Sequence, residues 1–495
     1  MTNARITPSL EEFCHLTQQG NLIPLIVDLV ADAETPVSAF AKIDDGPCFL
    51  FESAESSEAS GRFSFIGLDP LLLFRSSGTT ISITEDGRTQ SFETRSDPLT
   101  ELETVMARFR LAPGRDLPHF LAGAVGFIGY DVVRFFEPSV ALHPRDDLQL
   151  PDMLFMIART FIVFDHRFRR LRLVSNAYVE DSGNAEHAYA EAQQRLEGTL
   201  ERLERPLSLR PIPAETIQEL PRNQSNISRD AYQFTVLQAK ELIGAGDIFQ
   251  TVLSQRFETE FSGDPLDLYR CLRFGNPSPY MFCLKFPDFT AVGSSPEMHV
   301  RVRAGLAEIR PIAGTRPRGS DPAGDDRLAA ELLADPKERA EHVMLIDLGR
   351  NDLGRIAQFG SVCVTEQMVI ERYSHVMHIV SHVTAQLRDD RNGFDAIRAT
   401  FPAGTVSGAP KVRAMQIINS LETSRRGFYA GIVGYFGFDG SVDSCISLRS
   451  IVLKNGKAYL QTGAGIVADS DPAREYDECV NKAKAMLEAI ARALK

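Results

Sequence analysis

Tight turns between apolar, strand-like segments are the feature that most restricts the fold of this chain. Asn455–Gly456 separates SCISLRSIVL from KAYLQTG, and Ala304–Gly305 separates MHVRVR from LAEIRPI. Asn-Gly is a strong hairpin signal, because a two-residue turn needs positive φ at both central positions. Asp439–Gly440 marks another turn in the same region. The second half of the chain therefore predicts strands joined as hairpins, and hairpin strands are antiparallel.

Amphipathic helices are predicted beside these strands. One begins after Ser228 and ends at residues 244–246, where two glycines lie close together. Its predicted apolar face consists of Tyr232, Val236, Ala239 and Ile243. A closing helix begins with Asp471 as N-cap and Pro472 in the first helical position. Its predicted apolar stripe consists of Tyr476, Val480, Ala483, Leu487, Ile490 and Leu494.

The first 200 or so residues have mixed α/β character. Strand signals cover residues 22–31, 61–70 and 155–179. Residues 185–205 have helical composition, and a proline-rich stretch with few apolar clusters follows. A chain of 495 residues is long enough for two or three domains. We therefore predict an N-terminal region at 1–205, a linker at 206–230 and a C-terminal region at 231–495.

The composition argues against several classes of protein. Hydrophobic residues make up 43% and charged residues 24%, which is ordinary for a soluble globular chain. The formal net charge is −13 and no basic run stands out, so nucleic-acid binding is not expected. No apolar segment approaches the roughly 18 residues of a membrane span, and the N-terminus lacks a secretory signal. Seven scattered cysteines without a CxxC motif indicate reduced thiols and a cytoplasmic location.

Two pairs of glutamates could hold a hard cation. Glu475 and Glu478 are three residues apart on the closing helix, and Glu338 and Glu341 have the same spacing on a second predicted helix. Mg²⁺ prefers oxygen ligands and takes few of them from the protein, so that water and substrate complete its shell. The competing interpretations are a solvated charged face for the first pair and a capping box with Asp335 for Glu338. Spacing alone leaves these interpretations open.

Three histidines in one segment invite comparison with a zinc site. They are His375, His378 and His382. The neighbouring residues are rich in β-branched types and predict a strand, in which His378 and His382 would lie about 13 Å apart. Two side chains at that separation cannot share one ion, and no H-E-x-x-H motif occurs. A single histidine that acts in proton transfer or electrostatic contact is the favoured interpretation.

Three glycine-rich segments could offer backbone N–H groups to an anion. They are IAGTRPRG (312–319), GTVSGAPK (404–411) and TGAGIV (462–467). The second is not an NTPase phosphate loop, because Ala409–Pro410 precedes Lys411 and no Ser or Thr follows it. Arg449 lies among apolar residues that predict a strand, where an arginine is either ion-paired in the core or holds a carboxylate. These features suit a small substrate with several carboxylates.

A series of motifs runs in order along nearly the whole chain. They are FLFESAESSEASGRFSFIG (49–67), GAVGFIGYDVVRFFE (123–137), GDIFQTVLSQRF (246–257), NPSPYMF (276–282), GSSPEMHV (293–300), RPIAGTRPRG (310–319), DPKERAEHVMLIDLGRNDLGR (335–355), FPAGTVSGAPKVRAM (401–415) and QTGAGIVADSDPAREYDECVNKA (461–483). Together they resemble the chorismate-utilising enzymes, and in particular the large subunits of anthranilate synthases. The resemblance implies an α/β fold in which both halves build a large antiparallel sheet flanked by helices.

The resemblance also implies a metal site and a substrate site. In such enzymes Mg²⁺ bridges the ring carboxylate of chorismate to glutamates on two helices. The implied ligands here are Glu341 and Glu478, with Glu338 and Glu475 contacting the ion through water. The implied substrate-binding residues are Gly314, Thr315, Tyr429, Arg449, Gly463, Ala464, Gly465 and Lys482.

The chemistry that the resemblance implies is amine addition. Glu297 would protonate the departing 4-hydroxyl, His378 would assist the elimination of pyruvate, and Thr405 would line the ring. Family enzymes that use water carry a lysine base where this chain has Gln250, and aminodeoxychorismate synthases carry a nucleophilic lysine where it has Ala313. Ammonia is therefore expected to add directly at C2 and to give anthranilate. Aminodeoxychorismate or aminodeoxyisochorismate synthesis remains the alternative.

The resemblance further implies a partner and an inhibitor. The amine of such enzymes comes from a glutamine amidotransferase subunit, and this chain has no G-x-C-x-G motif, so a separate chain is expected, with free ammonium as a substitute. Tryptophan inhibits the family from a site between two segments. The corresponding residues here are Glu52, Ser53, Pro279, Tyr280 and Met281. A tryptophan-binding regulator on an inactive scaffold is the non-enzymatic alternative.

Overall fold

The computed structural model describes residues 5–30, 32–53, 61–113, 122–180, 182–215, 217–373 and 376–495. In these ranges the chain forms 12 α-helices and 22 β-strands. The strands are β1 (Leu22–Val30), β2 (Cys48–Glu52), β3 (Phe63–Ser77), β4 (Thr80–Glu85), β5 (Arg88–Glu93), β6 (Gly123–Ile128), β7 (Met153–Asp165), β8 (Arg170–Tyr178), β9 (Gln224–Ser225), β10 (Gln250–Glu260), β11 (Tyr280–Lys285), β12 (Thr290–Ser295), β13 (Met298–Arg303), β14 (Leu306–Ile309), β15 (Ile312–Pro317), β16 (Cys363–Arg372), β17 (Val376–Gln386), β18 (Gly408–Ala409), β19 (Ile432–Gly437), β20 (Val442–Ile446), β21 (Ser450–Lys454) and β22 (Lys457–Ile466). The helices are α1 (Leu10–Leu16), α2 (Pro36–Ile43), α3 (Pro98–Met106), α4 (Val133–Phe136), α5 (Ala185–Leu203), α6 (Arg229–Gly244), α7 (Pro265–Gly275), α8 (Pro322–Ala334), α9 (Pro336–Gly354), α10 (Gly393–Thr400), α11 (Lys411–Leu421) and α12 (Pro472–Ala493).

Strands β3 and β7 run side by side through the centre of the sheet, and their register shifts at a bulge between Pro70 and Leu72. A bulge bends a strand, and the two strands have different neighbours on either side of it. The first arm of the sheet has the order β1-β8-β7-β3-β2-β11-β12-β21-β22-β10. The second arm has the order β5-β4-β3-β7-β6-β19-β20-β13-β14-β17, and β15 and β16 also pair with β17. All these pairings are antiparallel and both arms combine the two halves of the chain, which confirms the predicted fold.

Aromatic side chains fill the space between the two arms. Phe49 and Phe282 of the first arm share one buried cluster with Phe127 of the second. The ring centroid of Phe127 lies 5.0 Å from that of Phe428 and 5.9 Å from that of Phe289. Fully burying such a side chain stabilises the fold by about 1.5–3 kcal/mol. Helices cover the outer faces, with α5 on β8, α12 on β22 and α9 on β15 and β17.

The chain crosses between the arms at two neighbouring places. β12 belongs to the first arm and β13 to the second, and Pro296 and Glu297 separate them. β20 belongs to the second arm and β21 to the first, and residues 447–449 separate them. Because β12 pairs with β21 and β13 pairs with β20, the two crossings lie side by side. We call residues 296–297 and 447–449 the junction, and it contains both Glu297 and Arg449.

Several predicted elements are confirmed. Asn455 and Gly456 have φ values of 52° and 74°, and Ala304–Gly305 has a similar pair, as two-residue hairpin turns require. The helix predicted after Ser228 is α6, with Ser228 as its N-cap. The predicted linker contains the short strand β9, which pairs with β10, and the division of the chain into regions stays a prediction. None of the helices in the described ranges has the length and apolar character that a membrane span needs.

Two local predictions are wrong. Arg449 does not lie in a strand: its φ is 47°, because the chain leaves the extended conformation where it crosses between the arms. The apolar stripe of α12 is displaced from the predicted one, since Val480 and Leu494 are exposed whereas Cys479 and Met486 are buried. The reason is that α12 packs against three elements at once, α6, α7 and β22.

Candidate active site

Glu297 is buried at the junction. The residue is 5% exposed, and its Oε1 accepts a hydrogen bond of 2.6 Å from the Thr405 hydroxyl. Burial raises the pKa of this carboxyl group to about 8, against hydrogen bonds from Thr405 and the Ile312 backbone that lower it. Glu297 therefore carries a proton at neutral pH, which is the state that a general acid needs. Thr405, which was expected to line the ring, contacts the acid directly.

His378 lies on β17 opposite Thr315 of β15. Its Nδ1 is 2.9 Å from the carbonyl oxygen of Gly314 and 3.1 Å from the Thr315 hydroxyl. A carbonyl oxygen only accepts, so Nδ1 carries the proton and Nε2 keeps its lone pair in the neutral ring. Burial lowers the pKa of His378, and the charge of Arg449 lowers it further, whereas the bond to Gly314 raises it. The neutral ring can therefore take up a proton at Nε2.

Gly314 is needed where β15 bulges. Its φ is 70°, and a Cβ at this position would lie 3.0 Å from Oε2 of Glu338. The register of β15 against β17 shifts between Ala313 and Thr315, on either side of the glycine. The bulge thus brings Gly314 close to a predicted metal-site glutamate on α9 and to His378 at the same time.

The strand predicted around the histidines is confirmed for the described residues of this segment. His378 and His382 both lie on β17. His382 faces Glu308, with Nε2 3.3 Å from Oε1, and not the junction. His375 lies outside the described residues.

Arg449 is a partly buried cation at the junction. Its Nη1 donates to Oδ1 of Asn276 at 3.2 Å. In the part of the chain that the structure describes, no carboxylate forms an ion pair with it, and burial lowers the pKa of its guanidinium. The interpretation of an ion pair in the core is therefore wrong for the described residues. An unpaired guanidinium in this setting is suited to an anionic ligand.

The end of β22 offers backbone groups beside the junction. β21 pairs with β22 only as far as Leu460, so in the described part of the chain no strand pairs with residues 461–466 on the side opposite β10. The carbonyl oxygen of Gly463 accepts a hydrogen bond of 3.0 Å from Lys482, which shows that its backbone polar groups point away from β10. Gly465 lies two residues further and its N–H points the same way. These N–H groups are available to an anion.

Glycine is required at 463 because Tyr429 lies there. The Tyr429 hydroxyl oxygen is 2.8 Å from the position that a Cβ on Gly463 would take. Ala464 faces the other way and packs with Tyr232 in an apolar cluster. The structure therefore brings Gly463 and Gly465 together with Tyr429 and Lys482, while Ala464 contributes its backbone.

Gln250 begins β10 and contacts the metal-site candidates. Its Nε2 donates to Oε1 of Glu341 at 3.2 Å, and it lies 2.6 Å from where a Cβ on Gly465 would be. The amide oxygen remains an acceptor, and an amide cannot deprotonate water. The contact with Glu341, 91 residues away, was not part of the sequence-based prediction.

The predicted metal-site glutamates lie on α9 and α12 and influence one another. Burial raises the pKa of Glu341, and the charges of Glu338 and Glu478 raise it further, whereas the bond from Gln250 lowers it. Burial also raises the pKa of Glu475, and Glu478 adds to this shift. The carboxylates of two helices therefore repel one another across a short distance.

Basic side chains form ion pairs with two of these carboxylates. Glu338 accepts from Arg316 at 3.1 Å, and Glu478 pairs with Lys482 at 2.8 Å. Asp335 caps α9 by accepting from the backbone of Glu338, but the Glu338 side chain turns to Arg316, so the predicted reciprocal capping box is wrong. Within the described ranges, no three His, Cys, Asp or Glu side chains are gathered closely enough to hold a metal ion.

The donor set nevertheless fits a hard divalent cation. All four candidate side chains are carboxylates, which Mg²⁺ and similar ions prefer. Burial raises the pKa of Glu341 and Glu475, their mutual repulsion with Glu478 adds to it, and a cation between the helices would relieve that repulsion. Arg316 and Lys482 hold Glu338 and Glu478 through exposed or partly exposed ion pairs, which are weak.

The two segments predicted to bind an inhibitor lie side by side. Glu52, at the end of β2, pairs in register with Met281 of β11. The Glu52 side chain is 4% exposed and its Oε2 lies 3.2 Å from Nε of Arg273. The hydroxyl of Tyr280 donates to Asp443 at 3.0 Å. Ser53 and Pro279 follow and precede these paired strands, so all five predicted residues fall in one small region.

Sequence reasoning missed the side chains that hold the site residues. Asn276 binds Arg449, and Arg316 binds Glu338. Arg426 is fully buried, pairs with Glu422 at 2.6 Å and donates to the backbone of β10. Asn276 opens the NPSPYMF motif and Arg316 lies in RPIAGTRPRG, so their segments were identified even though their contacts were not.

Comparison with known proteins identifies the family of this chain. The family described as chorismate binding enzyme matches residues 46–488. Anthranilate synthase component 1 of Acetivibrio thermocellus is 46% identical over 494 residues, covering 98% of this chain and 99% of the relative. The protein of that name from Pseudomonas aeruginosa is 47% identical over 489 residues and 98% of each chain. The solved structure of anthranilate synthase component I from Streptococcus pneumoniae matches with a TM-score of 0.74 and 38% identity, covering 88% of this chain and 93% of that one. The chain therefore belongs to the chorismate binding enzyme family, together with the anthranilate synthase component 1 proteins.

Proposed function

We propose that this chain is the chorismate-binding component of an anthranilate synthase, a lyase that converts chorismate and ammonia into anthranilate, pyruvate and water. The observation that carries the proposal is Arg449, a guanidinium without a carboxylate partner among the described residues, at the same junction as the protonated Glu297. Chorismate supplies the complementary groups, namely carboxylates and a hydroxyl group that leaves only after protonation. The relatives named anthranilate synthase component 1 support the same conclusion.

Arg449 would hold the enolpyruvyl carboxylate of chorismate. The backbone N–H groups of Gly463 and Gly465 would complete its coordination, together with the Tyr429 hydroxyl beside Gly463. Lys482, which already reaches the Gly463 carbonyl, adds positive charge between this site and α12. A planar guanidinium binds a carboxylate through two parallel hydrogen bonds, which fixes the orientation of the substrate.

Glutamates on α9 and α12 would hold Mg²⁺ at the other end of the substrate. We assign Glu341 and Glu478 as direct ligands, and Glu338 and Glu475 as residues that act through water. When bound, the ion acts as a Lewis acid on the ring carboxylate. Gln250 keeps the Glu341 carboxylate in place through its 3.2 Å hydrogen bond.

The residues at the junction then perform an amine addition. Ammonia forms a bond to C2 of the ring while the C4–O bond breaks, and Glu297 donates the proton that turns the leaving group into water. The added nitrogen gives a proton back to Glu297. Ala313 has no amine to offer, so the nucleophile is ammonia itself, and the amide oxygen of Gln250 can accept one of its N–H groups.

Aromatisation follows by loss of pyruvate. The C2 proton passes to Nε2 of His378, and the electrons of the C2–H bond form a ring double bond as the C3–O bond breaks. The departing enolate of pyruvate then takes a proton at its methylene carbon from the imidazolium of His378 and becomes pyruvate. His378 is neutral, with its lone pair on Nε2, and assists this step as the acceptor of a proton. Thr315 and Gly314 fix the ring of His378 through Nδ1, so that Nε2 is the nitrogen left for the substrate.

The proposal extends to a partner and an inhibitor. A separate glutamine amidotransferase chain would supply ammonia, since the active site needs the free amine. Tryptophan would bind at Glu52, Ser53 and the 279–281 segment. The buried carboxylate of Glu52 is suited to the α-ammonium group of an amino acid.

The test is a direct assay of the purified chain with chorismate, Mg²⁺ and excess ammonium near pH 8. Fluorescence follows anthranilate, and mass spectrometry identifies the products. We expect anthranilate and pyruvate from the wild type and a loss of roughly 100-fold or more in Glu297→Gln. Glu258→Gln is the matched control, because Glu258 lies in the same sheet but pairs with Lys457 at the surface.

Two outcomes would contradict the proposal. A product that keeps the enolpyruvyl group would identify an aminodeoxychorismate or aminodeoxyisochorismate synthase. No turnover by folded protein, with ammonium or with glutamine and the amidotransferase, combined with tryptophan binding in calorimetry, would identify a regulator.

A further inference from the structure

The Arg449 guanidinium is held by the end of a helix. Asn276 follows α7 directly, and its backbone N–H donates to Leu272 at 2.9 Å, which closes the last turn. Its side-chain oxygen accepts from Nη1 of Arg449 at 3.2 Å. The position of the guanidinium therefore depends on where α7 ends.

The backbone of Arg449 is held by the same group of residues. The N–H of Ser294 donates to the carbonyl oxygen of Arg449 at 3.1 Å, and the Ser294 hydroxyl donates to the carbonyl oxygen of Asn276. Asn276, Ser294 and Arg449 thus form a closed ring of hydrogen bonds. Arg449 has a φ of 47°, a conformation that a non-glycine residue keeps only when its surroundings hold it there.

The other contacts of α7 lead to Glu52. Arg273 lies three residues before Asn276, one helical turn away, and its Nε is 3.2 Å from Oε2 of Glu52. The hydroxyl of Tyr269, one turn earlier, donates to the same carboxylate. Helix α7 therefore connects the buried carboxylate of Glu52 to the guanidinium of Arg449.

A second connection runs through the sheet. Glu52 of β2 pairs in register with Met281 of β11, and Met281 pairs in register with Ser294 of β12. Ser294 then binds both Arg449 and Asn276. Both the helix and the sheet thus connect the Glu52 carboxylate to Arg449. A shift of the Glu52 side chain can therefore alter the position of Arg449 through a few covalent and hydrogen bonds.

We infer that Asn276 is a positioning residue for Arg449, and that the hydrogen bonds of Glu52 to α7 determine how firmly this position is held. The role of Arg449 in the inference rests on the proposed function. Loss of a hydrogen bond between Glu52 and α7 would therefore loosen the last turn of the helix, and with it the position of the guanidinium.

Steady-state kinetics of Asn276→Ala with chorismate test the positioning role. Loss of a hydrogen bond that orients a charged binding group should raise KM roughly 10-fold and leave kcat within about 2-fold. Asn392→Ala is the matched control, because Asn392 also caps a helix, α10, through bonds to Phe394 and Asp395. It should change neither constant.

Hydrogen exchange supplies a readout that needs neither substrate nor turnover. The amide of Ser294 donates to Arg449, so a peptide covering residues 290–296 should exchange faster in Asn276→Ala and Arg273→Met than in the wild type. It should be unchanged in Asn392→Ala. Unchanged exchange in Asn276→Ala would overturn the inference, and so would faster exchange with an unchanged KM. If the wild type forms no anthranilate, the proposed function fails, and the exchange experiment still decides whether Asn276 holds Arg449.

Discussion

The thermal stability of the protein should depend on pH through Glu297, and Glu297→Gln should remove that dependence. Burial raises the pKa of this group from 4.5 to about 8, so the folded state binds the proton more tightly than the unfolded state does. The stability that this proton provides is fully present below pH 4.5 and is lost as the pH rises through about 8. Glutamine keeps the shape of the side chain and never ionises.

The size of the effect follows from the two pKa values. Each pH unit between them costs the folded state about 1.4 kcal/mol, so a rise from pH 6 to pH 9 costs about 3 kcal/mol in total. For a chain of 495 residues, the entropy of unfolding is roughly 1 kcal/mol per kelvin. We therefore expect the midpoint of the wild type to fall by about 3 °C relative to that of Glu297→Gln over this range.

The assay compares thermal midpoints of the two proteins in the same buffers from pH 6 to pH 9. Other titrating groups are common to both proteins, so they cancel in the difference between the midpoints. Glu258→Gln serves as the control, because Glu258 pairs with Lys457 at the surface, and its difference from the wild type should stay constant. A constant difference for Glu297→Gln as well would show that Glu297 is not a buried neutral carboxyl group, and would refute its role as general acid.

Three further predictions concern neighbouring groups. Thr405→Val removes a hydrogen bond that lowers the pKa of Glu297, so the alkaline limb of the kcat/KM profile for anthranilate formation should move to higher pH, and a shift to lower pH would contradict this reasoning. Arg449→Met should raise the KM of chorismate roughly 30-fold or more, while the thermal midpoint stays the same or rises because an unpaired charge is removed; a large loss of stability would instead indicate a structural role. Chelation of Mg²⁺ should abolish turnover reversibly, and Glu478→Gln should raise the half-saturating Mg²⁺ concentration about 10-fold without changing tryptophan affinity in calorimetry. Equal losses of metal and tryptophan binding would argue against separate sites.

The elements that sequence patterns predicted correctly depend on local chemistry. Asn455–Gly456 specifies its hairpin because the positive φ values of the turn are a property of those two residues. The strand predicted through Arg449 was wrong for the opposite reason, since its φ of 47° arises where the chain crosses between two arms of the sheet. The sharing of β3 and β7 by both arms likewise depends on pairings between distant segments, which no local pattern records.

In the candidate site, too, residue identities were predictable from the sequence and long-range contacts were not. The resemblance supplied the identities of Glu297, His378 and Arg449. The structure places Glu297 and Arg449 at the junction, and His378 on β17 is near enough for the charge of Arg449 to lower its pKa. The contacts that hold these side chains in place were not predictable, because each joins segments far apart in sequence. The hydroxyl of Thr405 reaches Glu297 across 108 residues, and Asn276 reaches Arg449 across 173.

In both contacts the partner is a neutral group. An ion pair between Glu297 and Arg449 would ionise the acid and occupy the guanidinium. Glu297 could then not donate a proton, and Arg449 would be less able to bind the substrate carboxylate. The structure instead holds each with a neutral group, the hydroxyl of Thr405 and the amide of Asn276. Asn276→Asp would place a negative charge about 3 Å from the guanidinium, an interaction of roughly 5 kcal/mol at an effective dielectric constant near 20.

Asn276→Asp should therefore raise the KM of chorismate more than Asn276→Ala does. Aspartate keeps an acceptor for Arg449 and preserves its position, but it competes with the substrate carboxylate for the same charge. If positioning alone mattered, the aspartate variant would bind chorismate better than the alanine variant. The order of the two KM values in the same steady-state assay thus separates the geometry of Arg449 from its charge, and a lower KM in Asn276→Asp would refute the argument that neutral partners are required at the junction.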